Sequence, residues 1–174
     1  MVCNRGYTTR VGGRAGTGAW VMLCYRIPRE PSTPRITVWR KLKRLGVAQL
    51  ADGLVALPAD ARTREQLEWI ADEIAEAGGE ASIWLARPTS ATQERELSAR
   101  MAAARAAEYT AVTAEAAAAG VREARRTGER LRAELRRIGR RDYFPPPERH
   151  AAHAAVAALL ESTVDGTDLA EEWS

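Results

Sequence analysis

Five basic side chains within ten residues are the strongest candidates for chemistry in the sequence. They lie in the segment PRITVWRKLKRLG, which contains no acidic residue, and they are Arg35, Arg40, Lys41, Lys43 and Arg44. Lysine and arginine at this density can neutralise several phosphates of a nucleic acid. A charged helix face can equally be no more than a solvated surface. The segment therefore predicts either a DNA- or phosphate-binding surface or a soluble helix face, and sequence spacing leaves both open.

The positive charge is concentrated in the first third of the chain. Residues 1–58 hold 10 basic and 2 acidic side chains, a net charge of +8, whereas residues 59–119 hold 6 and 11, a net charge of −5. Residues 120–174 hold 10 of each sign, and the arginines of 122–141 form a second candidate positive surface. Such an asymmetry points to an anionic partner of the N-terminal part.

The residues that commonly perform catalysis or bind metals are sparse. Cys24 falls in the middle of an apolar segment, where a cysteine is expected to be a small buried hydrophobe. His150 and His153 can share one helical face, but a zinc site needs further ligands, for which Glu148 and Asp142 are the only local candidates, so a histidine pair without a ligand role is favoured. No spacing typical of a nucleophilic or acid–base mechanism is present. We therefore predict a protein that is not an enzyme and that has no cofactor and no metal site.

The segments that must position the basic cluster begin with a strand and a helix. The apolar segment AWVMLCYRI, Ala19–Ile27, predicts a buried strand. Thr33 is the expected N-cap of a helix that ends at Gly46, since proline is favoured in the first turn and glycine after the last. Its expected apolar face consists of Ile36, Trp39, Leu42 and Leu45.

A hairpin, a second helix and a fourth strand follow. Asp52-Gly53 predicts a tight hairpin turn with positive φ at both residues, in the place where a helix-turn-helix motif would need its second helix. Thr63 and Gln66 predict a capping box at the start of an amphipathic helix. The segment before Pro88 predicts a strand with Ala81, Ile83 and Leu85 on one face and Trp84 on the other. The order is that of an α+β, ferredoxin-like β-α-β-β-α-β domain.

The remaining segments predict the domain organisation. Residues 19–88 form the ferredoxin-like domain, 89–162 an α-helical extension interrupted at Gly120, 163–174 an acidic tail and 1–18 a disordered leader. The longest apolar segment is far shorter than the roughly 20 residues that cross a bilayer. We therefore expect a cytoplasmic protein without a membrane partner.

Three parts of the sequence resemble the N-terminal region of ChrB-type chromate resistance regulators. They are WVMLCYRIPREPSTPRITVWRKLKRLGVAQLADGLVALP, EQLEWIADEIAEAGGEASIWLARP and RRDYFPPP, and the resemblance spans roughly residues 19–160. The strand order also resembles the middle domain of PaaX-type regulators, a fold that commonly dimerises, so that the resemblance implies a homodimer.

The resemblance implies a regulatory protein of chromate, or oxyanion, resistance that acts on transcription. The leading hypothesis adds non-catalytic DNA contacts through the five basic residues of the first helix. Full-length members of the family continue into a C-terminal domain. The alternative hypothesis is therefore a protein-interaction module that pairs with a separately encoded ChrB C-terminal-type domain.

Overall fold

The computed structural model of this protein describes residues 18–171. In chain order it contains β1 (Trp20–Arg26), α1 (Ser32–Leu45), β2 (Ala48–Ala51), β3 (Leu54–Pro58), α2 (Ala61–Glu76), β4 (Glu80–Ala86), α3 (Ala91–Ala118), a 3-10 turn (Val121–Glu123), α4 (Ala124–Gly139) and α5 (Glu148–Glu171). Except for Gly18, the predicted leader lies outside the described residues. Within residues 18–171, no helix combines the length and the apolar character needed to cross a membrane.

The first six elements form an α+β unit around one antiparallel sheet. The sheet order is β2-β3-β1-β4, and the central strand β1 places Leu23 opposite Val55 of β3 and Ile83 of β4. Side chains alternate between the two faces of a strand. Leu23 and Val21 are fully buried in one cluster with α1 and α2, whereas Trp20 on the other face stacks on a ring from the loop after α4. The predicted α+β class is confirmed, and the unit follows the chain as strand, helix, two strands, helix and strand.

Helix α1 uses a different buried face from the one predicted. Val38 and Leu42 are buried, whereas Ile36 is 46% exposed and Trp39 54% exposed. A helix turns about 100° per residue, so four residues at a constant spacing of three rotate progressively around it and cannot all face the sheet. The helix begins at Ser32 after Pro31, and Thr33 is not its N-cap; Gly46 ends it in the left-handed conformation, as predicted.

The hairpin is confirmed, but its turn and the next helix start differ from the predictions. Within the turn, Gly53 has a positive φ but Asp52 does not. The pairing of β2 with β3 also shifts register between Gln49 and Ala51. Asp60, not Thr63, caps α2: the Asp60 carboxylate accepts the Thr63 N–H at 2.6 Å, and the Thr63 hydroxyl accepts the Asp60 N–H at 3.0 Å. The box therefore lies three residues earlier than predicted.

The helical extension has its own core. Tyr109, Val112 and Ala116 of α3 pack with residues from α4 and α5 that are also buried, namely Leu131, Leu135, Ile138, Ala152 and Val156. The predicted break at Gly120 is present, and α5 is longer than the short final helix expected. The N-terminal part of α3 instead joins the sheet core through Leu97 and Met101. One helix thus belongs to both cores.

Two glycines with the same backbone conformation allow the hairpin turn to be tested. Gly53 and Gly78 have φ values of 72° and 73°. A Cβ at Gly53 would overlap the carbonyl oxygen of Tyr25, whereas nothing lies within 4 Å of one at Gly78. We expect Gly78→Ala to cost about 1 kcal/mol from backbone strain, and Gly53→Ala to cost roughly 1–3 kcal/mol more. Urea unfolding of both variants measures the difference, and equal losses would contradict the steric argument.

Candidate nucleic-acid interface

Four of the five predicted basic residues of α1 are exposed, namely Arg35, Arg40, Lys43 and Arg44. Arg40, Lys43 and Arg44 lie on the side of the helix away from the buried Val38 and Leu42, whereas Arg35, two turns before Leu42, is exposed at the N-terminal end of the helix. They face solvent on an element whose buried side is fixed by the core. The result is a rigid positive ridge, which we call the α1 ridge.

The fifth basic residue, Lys41, is turned towards α2. Its Nζ lies 2.6 Å from Oε2 of Glu73, and both side chains are partly buried. The structure therefore brings together four of the predicted residues as free surface charges and holds Lys41 in an ion pair at the border of the ridge. This pair links α1 to α2.

Trp39, which we expected on the buried face of α1, is exposed beside the α1 ridge. The Nζ of Lys43 lies 5.3 Å from the centroid of the Trp39 ring, a distance at which a cation is attracted to the ring face. Together with Thr37, Arg40 and Arg44 these side chains line a shallow depression of about 610 Å³. A better signal was available in the sequence, since Val38, Leu42 and Leu45 at spacings of four and three residues form the tighter apolar stripe.

The second predicted positive surface is only partly neutralised by acidic partners: of the nine arginines in residues 122–141, four pair with a glutamate and five take part in no ion pair among the described residues. On α4, Arg125 pairs with Glu129 at 3.4 Å and Arg137 pairs with Glu134 at 2.9 Å. Arg130 pairs with Glu115 of α3. Exposed pairs of this kind contribute little stability, but they reduce the net field that a phosphate would meet. The α1 ridge differs from this second surface in that its own helix contains no acidic residue.

The segment RRDYFPPP joins the helical extension to the sheet domain. Arg141 donates to Oε2 of Glu108 at 2.8 Å, and the hydroxyl of Tyr143 donates to the Leu45 carbonyl at 3.2 Å. Phe144 stacks on Trp20 with 5.9 Å between the ring centroids. Tyr143 thus contacts the last residue of α1, so that the extension supports the C-terminal end of the ridge.

A buried phenol and carboxylate lie at the centre of this junction. The Tyr109 hydroxyl donates to Oδ2 of Asp142 at 2.9 Å, and Arg149 lies 3.5 Å from the same oxygen. Burial, followed by the hydrogen bond to Asp142, raises the pKa of Tyr109 to about 12. Burial also lowers the pKa of the nearby Arg105, which pairs with Glu108. The junction therefore depends on an uncharged Tyr109.

The remaining candidates lie apart from the α1 ridge. Cys24 is exposed on β1, so the expectation that it is buried was wrong: it faces the side of the sheet that α1 and α2 do not cover. His150 and His153 are both exposed in the first turns of α5. None of the three contributes to the surface described above.

Comparisons with known proteins agree on one family. A family model described as Protein ChrB, N-terminal, matches residues 35–120. Protein ChrB of Cupriavidus metallidurans is 30% identical over 138 aligned residues, which cover 73% of this chain and 41% of the relative. The chain thus spans about two fifths of the length of this curated relative. No solved structure matches this chain.

The junction predicts a pH dependence of stability. The folded pKa of Tyr109, about 12, lies above the ordinary tyrosine value of 10.0, so this contribution is complete below pH 10.0 and is lost as the pH rises towards 12. In the wild type, the ionisation of Tyr109 should lower the free energy of unfolding by roughly 2 kcal/mol across this range. The Tyr109→Phe variant should lack this part of the decrease. Urea unfolding at several alkaline pH values measures it.

Tyr143→Phe is the control for this experiment, because its hydroxyl contacts a backbone carbonyl and not a carboxylate. It should flatten the profile less than Tyr109→Phe. An alkaline profile that is identical in the wild type and in Tyr109→Phe would contradict the assignment.

Proposed function

Since the chain belongs to the family of ChrB N-terminal domains, we propose that it is a regulatory protein of chromate resistance that acts on transcription through non-catalytic contacts with DNA phosphates. The observation that carries the proposal is the α1 ridge, whose four free basic side chains all lie within the matched segment. The link to chromate rests on the family resemblance, and the link to DNA rests on the charge. The proposal is one of binding, without catalysis.

The dimensions of the ridge suit a phosphate backbone. At 1.5 Å per residue, Arg35 and Arg44 are about 14 Å apart along the helix axis. A DNA duplex carries one charge per roughly 1.7 Å, so about eight phosphates lie along that length. Because the opposite side of α1 is buried and β2 begins at Ala48, α1 is not followed in the chain by the second helix that a helix-turn-helix motif requires. We therefore propose that the α1 ridge contacts DNA phosphates, and we assign no residue to the recognition of bases.

The remaining parts of the proposal concern architecture and assembly. The sheet order β2-β3-β1-β4 with antiparallel neighbours supports a ferredoxin-like arrangement of the first domain. A cytoplasmic homodimer is the form in which we propose that the protein acts, because a repeated ridge would contact a duplex at two places. All five basic residues remain in the proposed surface, with Lys41 contributing least because Glu73 already neutralises it.

A second candidate function is a protein-interaction module for a separately encoded ChrB C-terminal-type domain. The observation that favours it is Trp69 of α2, which is 65% exposed. It lines a groove of about 310 Å³ between α1 and α2, together with Leu45 and Ile70. Large exposed aromatic side chains beside a groove are typical anchors of protein interfaces.

The DNA proposal predicts a salt dependence that the ridge residues control. Replacing Arg40, Lys43 and Arg44 together by glutamine should lower the slope of log K against log salt by about 0.9 per lost phosphate contact, or nearly three in total. Fluorescence anisotropy with a labelled DNA duplex, at several salt concentrations, measures both the affinity and the slope.

A control with equal net charge makes this test specific. Replacing Arg64, Arg95 and Arg125 by glutamine also removes three exposed charges, but from α2, α3 and α4. It should leave the slope nearly unchanged. Absence of DNA binding at low salt, or equal effects of the two triple variants, would contradict the proposal.

The second candidate predicts capture of an isolated ChrB C-terminal-type domain by this chain. Trp69→Ala should weaken the captured complex at least about tenfold if Trp69 is an anchor, whereas Leu50→Ala, on β2 and outside the groove, should not. Biolayer interferometry with the immobilised chain measures the affinity. A domain that fails to bind, or that binds both variants equally, would exclude this candidate without affecting the DNA proposal.

A further inference from the structure

Strand β4 forms one edge of the sheet and exposes two large apolar side chains. Trp84 is 60% exposed and Leu85 is 65% exposed, and as neighbours in a strand they lie on opposite faces. Leu85 shares the face of Ile83, as predicted, but it is not covered. Between Glu80 and Arg87 the strand reads ASIWLA, without a charge or a proline. Within residues 18–171, β4 pairs with β1 alone.

The opposite edge of the same sheet is protected in the usual ways. Strand β2 has four residues, whereas β4 has seven. The register of β2 shifts between Gln49 and Ala51, and such irregularities discourage a further strand from pairing. Unlike β2, strand β4 therefore lacks the features that prevent an edge strand from pairing with a further strand.

We propose that two copies of this chain pair through β4, in antiparallel orientation, to form one continuous sheet. Backbone hydrogen bonds between edge strands supply affinity without a dedicated pocket. The proposal names the surface of the homodimer suggested above, and it rests on that part of the proposed function. It does not depend on whether the α1 ridge binds DNA.

Charge complementarity favours a second copy as the occupant. Glu80 begins the strand and Arg87 follows its end, both are exposed, and neither takes part in an ion pair among the described residues. Antiparallel pairing brings the acidic end of one strand to the basic end of the other, and two-fold symmetry makes this contact twice. The strand is thus complementary to itself.

Symmetry also determines which side chains meet. An antiparallel pair of identical strands has its axis perpendicular to the sheet, so residues that face each other lie on the same face. With the axis near Ile83 or near Trp84, Glu80 faces Ala86 or Pro88 of the other copy, one residue from Arg87. Because neighbouring side chains alternate between faces, Glu80 and Arg87 attract each other as opposite charges at the strand ends and not as a direct ion pair. In both registers Trp84 and Leu85 become covered across the seam.

The test is the dimerisation equilibrium of the full chain, measured by analytical ultracentrifugation over a range of concentrations. Trp84→Lys places like charges near the axis and should raise the dimer Kd at least about tenfold. Glu80→Arg should raise it several-fold. The charge-swapped double variant, Glu80→Arg with Arg87→Glu, should restore the wild-type value, which a purely structural role for Glu80 would not predict.

Leu50→Lys adds the same charge to the β2 edge and is the matched control, so its Kd should equal that of the wild type. Circular dichroism confirms that each variant is folded. A wild type that is monomeric at every concentration would overturn the proposal, as would a dimer that Trp84→Lys leaves unchanged. The ridge variant of Arg40, Lys43 and Arg44 should still dimerise, so loss of DNA binding and loss of the dimer are separable results.

Discussion

The burial of one helix in two cores is the constraint on which the rest of the structure depends. Leu97 and Met101 hold the start of α3 against the sheet, and Tyr109 and Val112 hold its continuation against α4 and α5. Because the 28 residues of α3 form one uninterrupted helix, the two cores cannot rotate independently without breaking it. The segment after α4 adds a second connection, in which Phe144 covers Trp20.

Charge is arranged around this frame so that its signs remain apart. Helix α1 contains no acidic residue, whereas α2 contains five acidic residues and two arginines, and Lys41 of α1 pairs with Glu73 of α2. On α4, by contrast, two glutamates lie among six arginines and pair with Arg125 and Arg137. The overall net charge of +3 therefore conceals one strongly polarised region.

Local patterns predicted the class of the fold and the chain order of its elements, because apolar periodicity and glycine positions act over short distances. They failed where a competing local choice existed. Asp60, three residues before Thr63, accepts the backbone N–H at the start of α2 and is its N-cap. In α1 the buried face contains Val38 and not the neighbouring Trp39. The basic residues were found from composition, but the ion pair of Lys41 could not be, since Glu73 is 32 residues away in the chain.

The hydrogen bond from Tyr143 to the Leu45 carbonyl links residues that are 98 positions apart. During synthesis the sheet is complete once Ala86 has emerged, whereas Phe144 follows 58 residues later. At about 5–20 residues per second this interval lasts roughly 3–12 seconds. Throughout it, Trp20 lacks the Phe144 ring that stacks on it and the last turn of α1 lacks its tyrosine contact. The sheet domain therefore gains two of its contacts only after α4 has been made.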